Sequence, residues 1–124
     1  MTTAKKKRRK SPTAMALDEL ATLGFVAGKV EQTIPRTFIK RDFLGFVDVI
    51  YCTPTSIVAL QVTSGGGSGK SNAKARRRKI LAEPRALAWV KAGGLIEIWN
   101  YVKREDAWGC EKEEIIESDF GVIP

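Results

Sequence analysis

The segment DFLGFVDVIYCTPTSIVALQVT, Asp42–Thr63, decides the fold. It contains two apolar runs, 42–52 and 56–63, with Pro54 between them. Proline cannot donate to a strand ladder, so it separates the two runs. The short connection predicts that they form an antiparallel hairpin. The first run is apolar on both faces, which is typical of a buried central strand.

Helices and further strands are predicted on both sides of this hairpin. Ser11 and Pro12 have the residue types of a helix N-cap and first helical position, and Gly24 is a natural stop. The other predicted elements are, in chain order, a strand over 25–34, a flexible glycine loop over 64–71, a helix over 71–82, a helix from 84, a strand over 95–102 and a short return strand over 110–116. We therefore predict an α/β (α+β) fold in which helices flank a mixed sheet, with a single domain over 11–124.

The positive charge lies in two blocks. The chain of 124 residues has a formal charge of +7. Residues 5–10 hold six basic side chains and residues 70–79 hold six more, without an acid in either block, whereas 105–119 carries seven acids. Blocks of like charge commonly bind polyanions, and DNA is the predicted partner. Residues 1–10 are predicted to be a disordered basic arm. The predicted nucleic-acid-binding residues are Lys5, Lys6, Lys7, Arg8, Arg9, Lys10, Lys70, Lys74, Arg76, Arg77, Arg78 and Lys79.

The composition excludes several kinds of chemistry. The chain has no histidine, which removes histidine-activated nucleophiles and histidine metal sites. Cys52 and Cys110 fit no metal-binding or disulfide-scaffold spacing, so a reducing cytoplasm is expected. No apolar run is long enough to cross a bilayer, so no membrane association is expected. Carboxylates, lysine, tyrosine or water must therefore supply any acid–base or metal chemistry.

Polar residues inside the apolar hairpin predict a metal site. Asp48 lies in an apolar run, where a charge is costly without a partner. Gln61 is polar in the facing run, so the two side chains converge if the runs pair. Asp42 has the same strand parity as Asp48, and Glu31 on the preceding strand could join them. Carboxylate and amide oxygens suit Mg²⁺ or Mn²⁺.

Gly69-Lys70-Ser71 raises a different possibility, a phosphate-binding loop of a nucleotide hydrolase. That motif requires a glycine four residues before Gly69, and Ser64 is there instead. The loop also follows two or three strands rather than the first strand of a parallel sheet. We therefore favour a flexible linker over a nucleotide site.

The sequence GFVDVIY around Asp48, followed by IVALQVT, resembles the core of the PD-(D/E)XK nuclease superfamily. The order helix, three strands, helix, strand is that of the restriction-endonuclease-like core. The similarity is greatest to small phage and prokaryotic nucleases of the Holliday-junction-resolvase type, and it covers about residues 14–103. It implies a prokaryotic or phage-infected host cell, a metal-dependent DNA endonuclease selective for branched DNA, and a homodimer.

The resemblance also implies site residues, and two of them depart from the motif. Asp48 would bind the metal, Gln61 stands at the second acid, and Thr63 stands at the motif lysine. Neutral Gln61 lends no charge, and Thr63 cannot act as the cation. Lys70, Lys74 or Lys79 could replace that lysine, and Glu31, or else Asp18 or Glu19, could supply a further acid. The alternative is a nucleic-acid-binding module with a weak or inactive site on the same fold.

Overall fold

A computed structural model describes the backbone of residues 10–37, 39–65 and 69–121, and their side chains except those of 69–71. Three α-helices, seven strands and one 3-10 helix lie in these ranges. The elements are α1 (Pro12–Thr22), β1 (Val26–Lys29), β2 (Gln32–Thr33), β3 (Lys40–Arg41), β4 (Val49–Cys52), β5 (Ile57–Ser64), α2 (Gly69–Leu81), α3 (Pro84–Lys91), β6 (Leu95–Arg104), β7 (Ala107–Ile115) and the 3-10 helix Glu117–Asp119.

Five strands form a mixed sheet in the order β1-β4-β5-β6-β7, and β2 and β3 form a separate small sheet. The pair β4–β5 is antiparallel, which confirms the predicted hairpin. The pair β5–β6 is parallel, and α2 and α3 make the crossover between them. The predicted class, a mixed sheet flanked by helices with the order helix, three strands, helix, strand in its core, is confirmed.

Each face of the large sheet is covered by a hydrophobic cluster. On one face, α1 packs Ala16 and Leu20 against a layer that includes Trp99. On the other face, Ile80 of α2 and Ala86 of α3 pack against the sheet. Ser11 caps α1 as predicted, because its side chain accepts a hydrogen bond from the N–H of Ala14 at 3.1 Å.

Two predicted strands are shorter in the structure, and these predictions were wrong at their ends. The predicted strand 25–34 is divided into β1 and β2, so Glu31 lies between strands. The predicted strand 42–52 begins only at Val49. Residues 42–48 instead form a tight turn closed by a bridge between Phe43 and Val47. Leu44 and Gly45 have φ of 55° and 79°, left-handed values that a strand cannot contain.

The glycine loop is also shorter than the predicted 64–71. Ser64 belongs to β5 and Gly69 begins α2, so the connection is 65–68, of which only Gly65 is described. Residues 1–9 of the predicted basic arm lie outside the described residues. In the described part of the chain, no helix is long and apolar enough to cross a membrane, and both cysteines are free thiols.

A candidate metal centre at a junction of strand ladders

Three carboxylates meet where the large and small sheets join. Extending the antiparallel β2–β3 register by one residue places Glu31 opposite Asp42. Extending the Phe43–Val47 bridge by one residue places Asp42 opposite Asp48. Glu31, Asp42 and Asp48 each present a carboxylate oxygen, and these oxygens lie within 4.8 Å of one another. The turn thus achieves what a continuous strand would not, because it folds Asp42 back onto Asp48.

The alternative acids of α1 are occupied elsewhere. Asp18 forms an ion pair with Lys10. Glu19 accepts a hydrogen bond from the hydroxyl of Tyr101 at 3.0 Å and also contacts Lys112. Of the acids considered from the sequence, the structure brings together Glu31, Asp42 and Asp48.

Asp48 and Gln61 converge as predicted. The amide nitrogen Nε2 of Gln61 donates to Oδ2 of Asp48 at 2.7 Å, and the backbone N–H of Val62 donates to the same oxygen at 2.9 Å. The oxygen of the same amide, Gln61 Oε1, is buried and has no hydrogen-bond partner among the described residues. A buried polar atom without a partner costs about 1–3 kcal/mol, so a cation or a water molecule bound at Oε1 would be favourable.

The environment of Asp48 opposes its ionisation. Asp48 is only 4% exposed. The pKa of Asp48 is raised to about 7, mainly by burial; the neighbouring carboxylates of Asp42 and Glu31 also raise it, and the Val62 N–H lowers it. Asp48 is close to two other carboxylates and is shielded from water. A cation bound here would therefore relieve the repulsion among the three carboxylates.

Basic side chains line the same cavity as the three acids. Its volume is about 550 Å³, and Glu31, Asp42, Asp48 and Gln61 line it. Nζ of Lys79 lies 3.0 Å from Oδ2 of Asp42. The other cavity-lining residues that carry charge or belong to the first turn of α1 are Lys40, Arg41, Arg76, Ser11, Pro12 and Thr13. The cavity therefore combines an acidic floor with a basic rim, an arrangement that can hold a cation and a phosphate together.

The remaining basic residues of α2 have separate positions. Lys74 lines a different cavity, beside β6 and β7. Arg77 donates to Glu113 at 2.8 Å and to Asp119 at 2.9 Å. No acid lies within the basic run itself, but two acids from the C-terminal region pair with Arg77 across the fold. Arg78 is exposed, and Lys70 has no described side chain.

Two further predicted site residues, Thr63 and Lys10, do not line the acidic cavity. Thr63 is 6% exposed and is not among the described residues that line the acidic cavity. Lys10 is exposed and pairs with Asp18. Lys5, Lys6, Lys7, Arg8 and Arg9 lie outside the described residues.

Sequence reasoning did not assign a site role to Lys40 and Arg41. The segment 35–41 lies between the predicted strands, and its two adjacent basic residues directly precede Asp42. That adjacency was the available signal. The contribution of the α1 N-terminus to the cavity had no signal in the sequence, because it depends on how the helix packs across the sheet.

The four oxygen-bearing side chains fit a hard divalent cation. Glu31, Asp42 and Asp48 would supply carboxylate oxygens, and Gln61 Oε1 would supply a neutral one. Mg²⁺ and Mn²⁺ prefer such ligands. The unpartnered buried oxygen of Gln61 is the strongest observation for this fit, because a cation would give it a partner.

Comparisons with known proteins give one structural neighbour to report. No protein-family model matches the chain, and no curated protein gives a significant match. Among solved structures, the chain is similar to Hjc, a Holliday junction resolvase from the archaeal hyperthermophile Archaeoglobus fulgidus. The TM-score is 0.42 and the identity is 15%, over 86% of this chain and 88% of that chain.

Proposed function

We propose that this protein is a metal-dependent DNA endonuclease whose centre is the junction of Glu31, Asp42, Asp48 and Gln61. The observation that carries the proposal is the buried, unpartnered Gln61 Oε1 beside three clustered carboxylates. Asp42 and Glu31 have lysine partners, Lys79 and Lys29, at 3.0 and 3.5 Å. Asp48 has hydrogen bonds but no lysine or arginine partner among the described residues, and its pKa is raised, which is typical of a functional site.

A bound divalent ion would polarise a phosphoryl oxygen and stabilise the charge that develops on it. The protein's own residues have complementary tasks. Asp48 is oriented by hydrogen bonds from the Val62 N–H and from Gln61, and one of its oxygens lies within 4.8 Å of an oxygen of Asp42 and of Glu31. Orientation of this kind by fixed hydrogen bonds positions a metal ligand without further rearrangement.

Of Lys74 and Lys79, the two candidate lysines whose side chains are described, Lys79 is the one we propose as a substitute for the missing motif lysine. It comes from α2 and reaches Asp42, whereas Lys74 lies at another cavity. With a cation held by the carboxylates, the ammonium group of Lys79 would be released from Asp42 and could contact a phosphate. Arg76 lines the same cavity and adds a second cation on the same side.

DNA is the proposed substrate, because a polyanion matches the basic rim and the exposed basic residues of α2. Contacts of this kind give affinity with little sequence specificity. We also propose that the protein is selective for branched DNA and assembles as a homodimer, as its resemblance to nucleases of the Holliday-junction-resolvase type implies. Sedimentation analysis of the free protein tests the dimer directly.

A second candidate, a binding module without cleavage, is favoured by one observation. The motif lysine position holds Thr63, and the lysine that could replace it is already paired with Asp42. In that function the salt bridge would be permanent, and α2 would bind DNA without hydrolysis.

Cleavage assays separate the two candidates. Linear, flapped and four-way-branched DNA are incubated with the protein in Mg²⁺ or Mn²⁺, beside Asp48→Asn. Asp106→Asn is the matched control, because Asp106 is an exposed acid in the β6–β7 turn. We expect cleavage by the unmodified protein and the control, with loss in Asp48→Asn and preference for the branched substrate. Binding without cleavage in either metal would support the binding module.

A further inference from the structure

A second cavity adjoins the acidic one. Its volume is about 490 Å³, and it shares Arg41, Asp42 and Gly45 with the acidic cavity. Phe43 and Arg85 are also in its wall. Because Asp42 lines both cavities, one extended ligand could occupy the two cavities at once, with Asp42 between them.

Phe43 is held outward by the turn that forms the metal centre. Phe43 is 42% exposed, although phenylalanine residues are usually buried. The backbone N–H of Phe43 donates to Val47 at 2.9 Å, and the carbonyl of Phe43 accepts from Phe46 at 3.2 Å. These bonds fix the main chain on both sides of the ring, so the exposed aromatic surface is built into the turn.

The α2–α3 junction braces the same turn. A Cβ at Gly45 would lie 2.9 Å from Oε1 of Glu83 and 3.0 Å from Nη2 of Arg85. Such close packing leaves the turn little freedom to fold the Phe43 ring inward. Arg85 contacts Glu83, yet its side chain remains 57% exposed at the cavity.

The chemistry of this second cavity suits one nucleotide. An exposed aromatic ring offers a stacking surface for any nucleobase. Arg41 is exposed and has no ion pair among the described residues, and the guanidinium groups of Arg41 and Arg85 both suit phosphate oxygens. Gln32, also in the wall, presents an amide that can bond a base edge.

We propose that Phe43, with Arg41 and Arg85, forms a stacking subsite for an unpaired nucleobase next to the phosphate bound at the acidic cluster. The inference rests on the proposed nuclease function and deepens it by naming the substrate feature that the protein selects. Stacking on Phe43 requires a free face of the base, which a base inside a continuous duplex does not offer. Unpaired nucleotides at flaps and branch points offer that face.

A double-mutant cycle on protein and DNA tests the subsite. The probe is a fluorescent single strand of oligo-dT in Ca²⁺, with an abasic nucleotide placed at successive positions. Stacking on an aromatic residue contributes about 1–3 kcal/mol per base, so Phe43→Ala should weaken binding about 5- to 150-fold. The abasic probe should weaken binding by the unmodified protein at one position, and should have no further effect in Phe43→Ala.

Two further variants keep the test decisive. Phe43→Trp keeps an aromatic ring at this position, so it should retain both the affinity and the effect of the abasic nucleotide. This variant can be measured even if Phe43→Ala does not fold, and loss of the abasic effect in it would count against the subsite. Ile57→Ala is the control, because Ile57 is 48% exposed at the far end of the hairpin, and it should bind as the unmodified protein does.

The outcomes distinguish this inference from the nuclease function. Loss of coupling at every abasic position, with metal-dependent cleavage intact, would overturn the stacking subsite alone. A change of oligomeric state in Phe43→Ala without coupling would also overturn it and assign the ring to self-association. Absence of cleavage by the unmodified protein, with positional coupling present, would overturn the nuclease function and leave the subsite standing.

Discussion

Replacing Asp48 with asparagine should make the metal-free protein more stable at pH 8. The substitution keeps the shape of the side chain, and the asparagine oxygen can accept the hydrogen bonds that Val62 and Gln61 now donate to Asp48 Oδ2. Its amide N–H groups can donate to Asp42 and Glu31. Repulsion between carboxylates is thereby replaced by hydrogen bonds.

The magnitude follows from the pKa of Asp48, about 7 in the folded protein against an ordinary value of 3.8. The folded-state pKa is the higher one, so Asp48 favours folding most at low pH, and this contribution is lost as pH rises from about 4 to about 7. Each pKa unit corresponds to about 1.4 kcal/mol, so roughly 4 kcal/mol is lost in all. We expect Asp48→Asn to recover about 2–4 kcal/mol at pH 8, since neutral hydrogen bonds replace charge-assisted ones.

Urea unfolding in the presence of EDTA, followed by tryptophan fluorescence, to which the buried Trp99 contributes, measures this effect between pH 5 and pH 8.5. The unmodified protein should lose stability with rising pH, and Asp48→Asn should show a flatter profile. Added Mn²⁺ should stabilise the unmodified protein at pH 8 and leave Asp48→Asn unchanged. A less stable Asp48→Asn at pH 8, or identical pH profiles, would refute the reasoning.

Four further substitutions and one deletion test other parts of the molecule. Arg77→Ala should destabilise the fold by about 1 kcal/mol, because it loses the ion pairs with Glu113 and Asp119. Arg78→Ala should instead weaken DNA binding and lower the slope of log binding constant against log salt concentration by about 1. Equal effects of the two substitutions on stability and on DNA binding would contradict these separate roles. Gly45→Ala and Gly24→Ala both place alanine at positive φ, near 79° and 80°, but only the first meets a neighbour within 4 Å. Gly45→Ala should therefore be the less stable by about 1 kcal/mol or more in urea unfolding, and equal stabilities would show that Glu83 and Arg85 yield freely. Deleting residues 1–10 should weaken DNA binding and flatten its dependence on salt, and an unchanged slope in binding titrations would remove the arm from the interface.

The fold was largely predictable from the sequence because its strongest signals are local. The apolar runs around Pro54 gave the β4–β5 hairpin, and the Ser11-Pro12 pair marked the start of α1. The run 42–52 was misleading in part. Its apolar residues satisfy a strand pattern, but Phe46 and Val47 are buried through a turn that needs left-handed backbone at Leu44 and Gly45. Gly45 was a signal for that turn, whereas Leu44 was not.

The candidate site was predictable in its centre and not at its rim. Asp48 and Gln61 are neighbours across one hairpin, so pairing register alone brings them together. Glu31 and Asp42 reach the site through the separate β2–β3 sheet, and this geometry depends on two-residue strands that carry no clear sequence pattern. Likewise Lys79 and Arg77 are two positions apart on α2, yet one meets Asp42 and the other meets Glu113. Only the packing of the helix against the sheet decides which cation faces which acid.

The most direct test of the central claim is a titration with Mn²⁺ followed by electron paramagnetic resonance, which distinguishes free from protein-bound ion. The unmodified protein should bind Mn²⁺ at pH 8, and the control Asp106→Asn should bind it equally well. Asp48→Asn should lose that binding while remaining folded. Equal binding by Asp48→Asn, or no binding by the unmodified protein, would contradict a metal centre at Glu31, Asp42, Asp48 and Gln61.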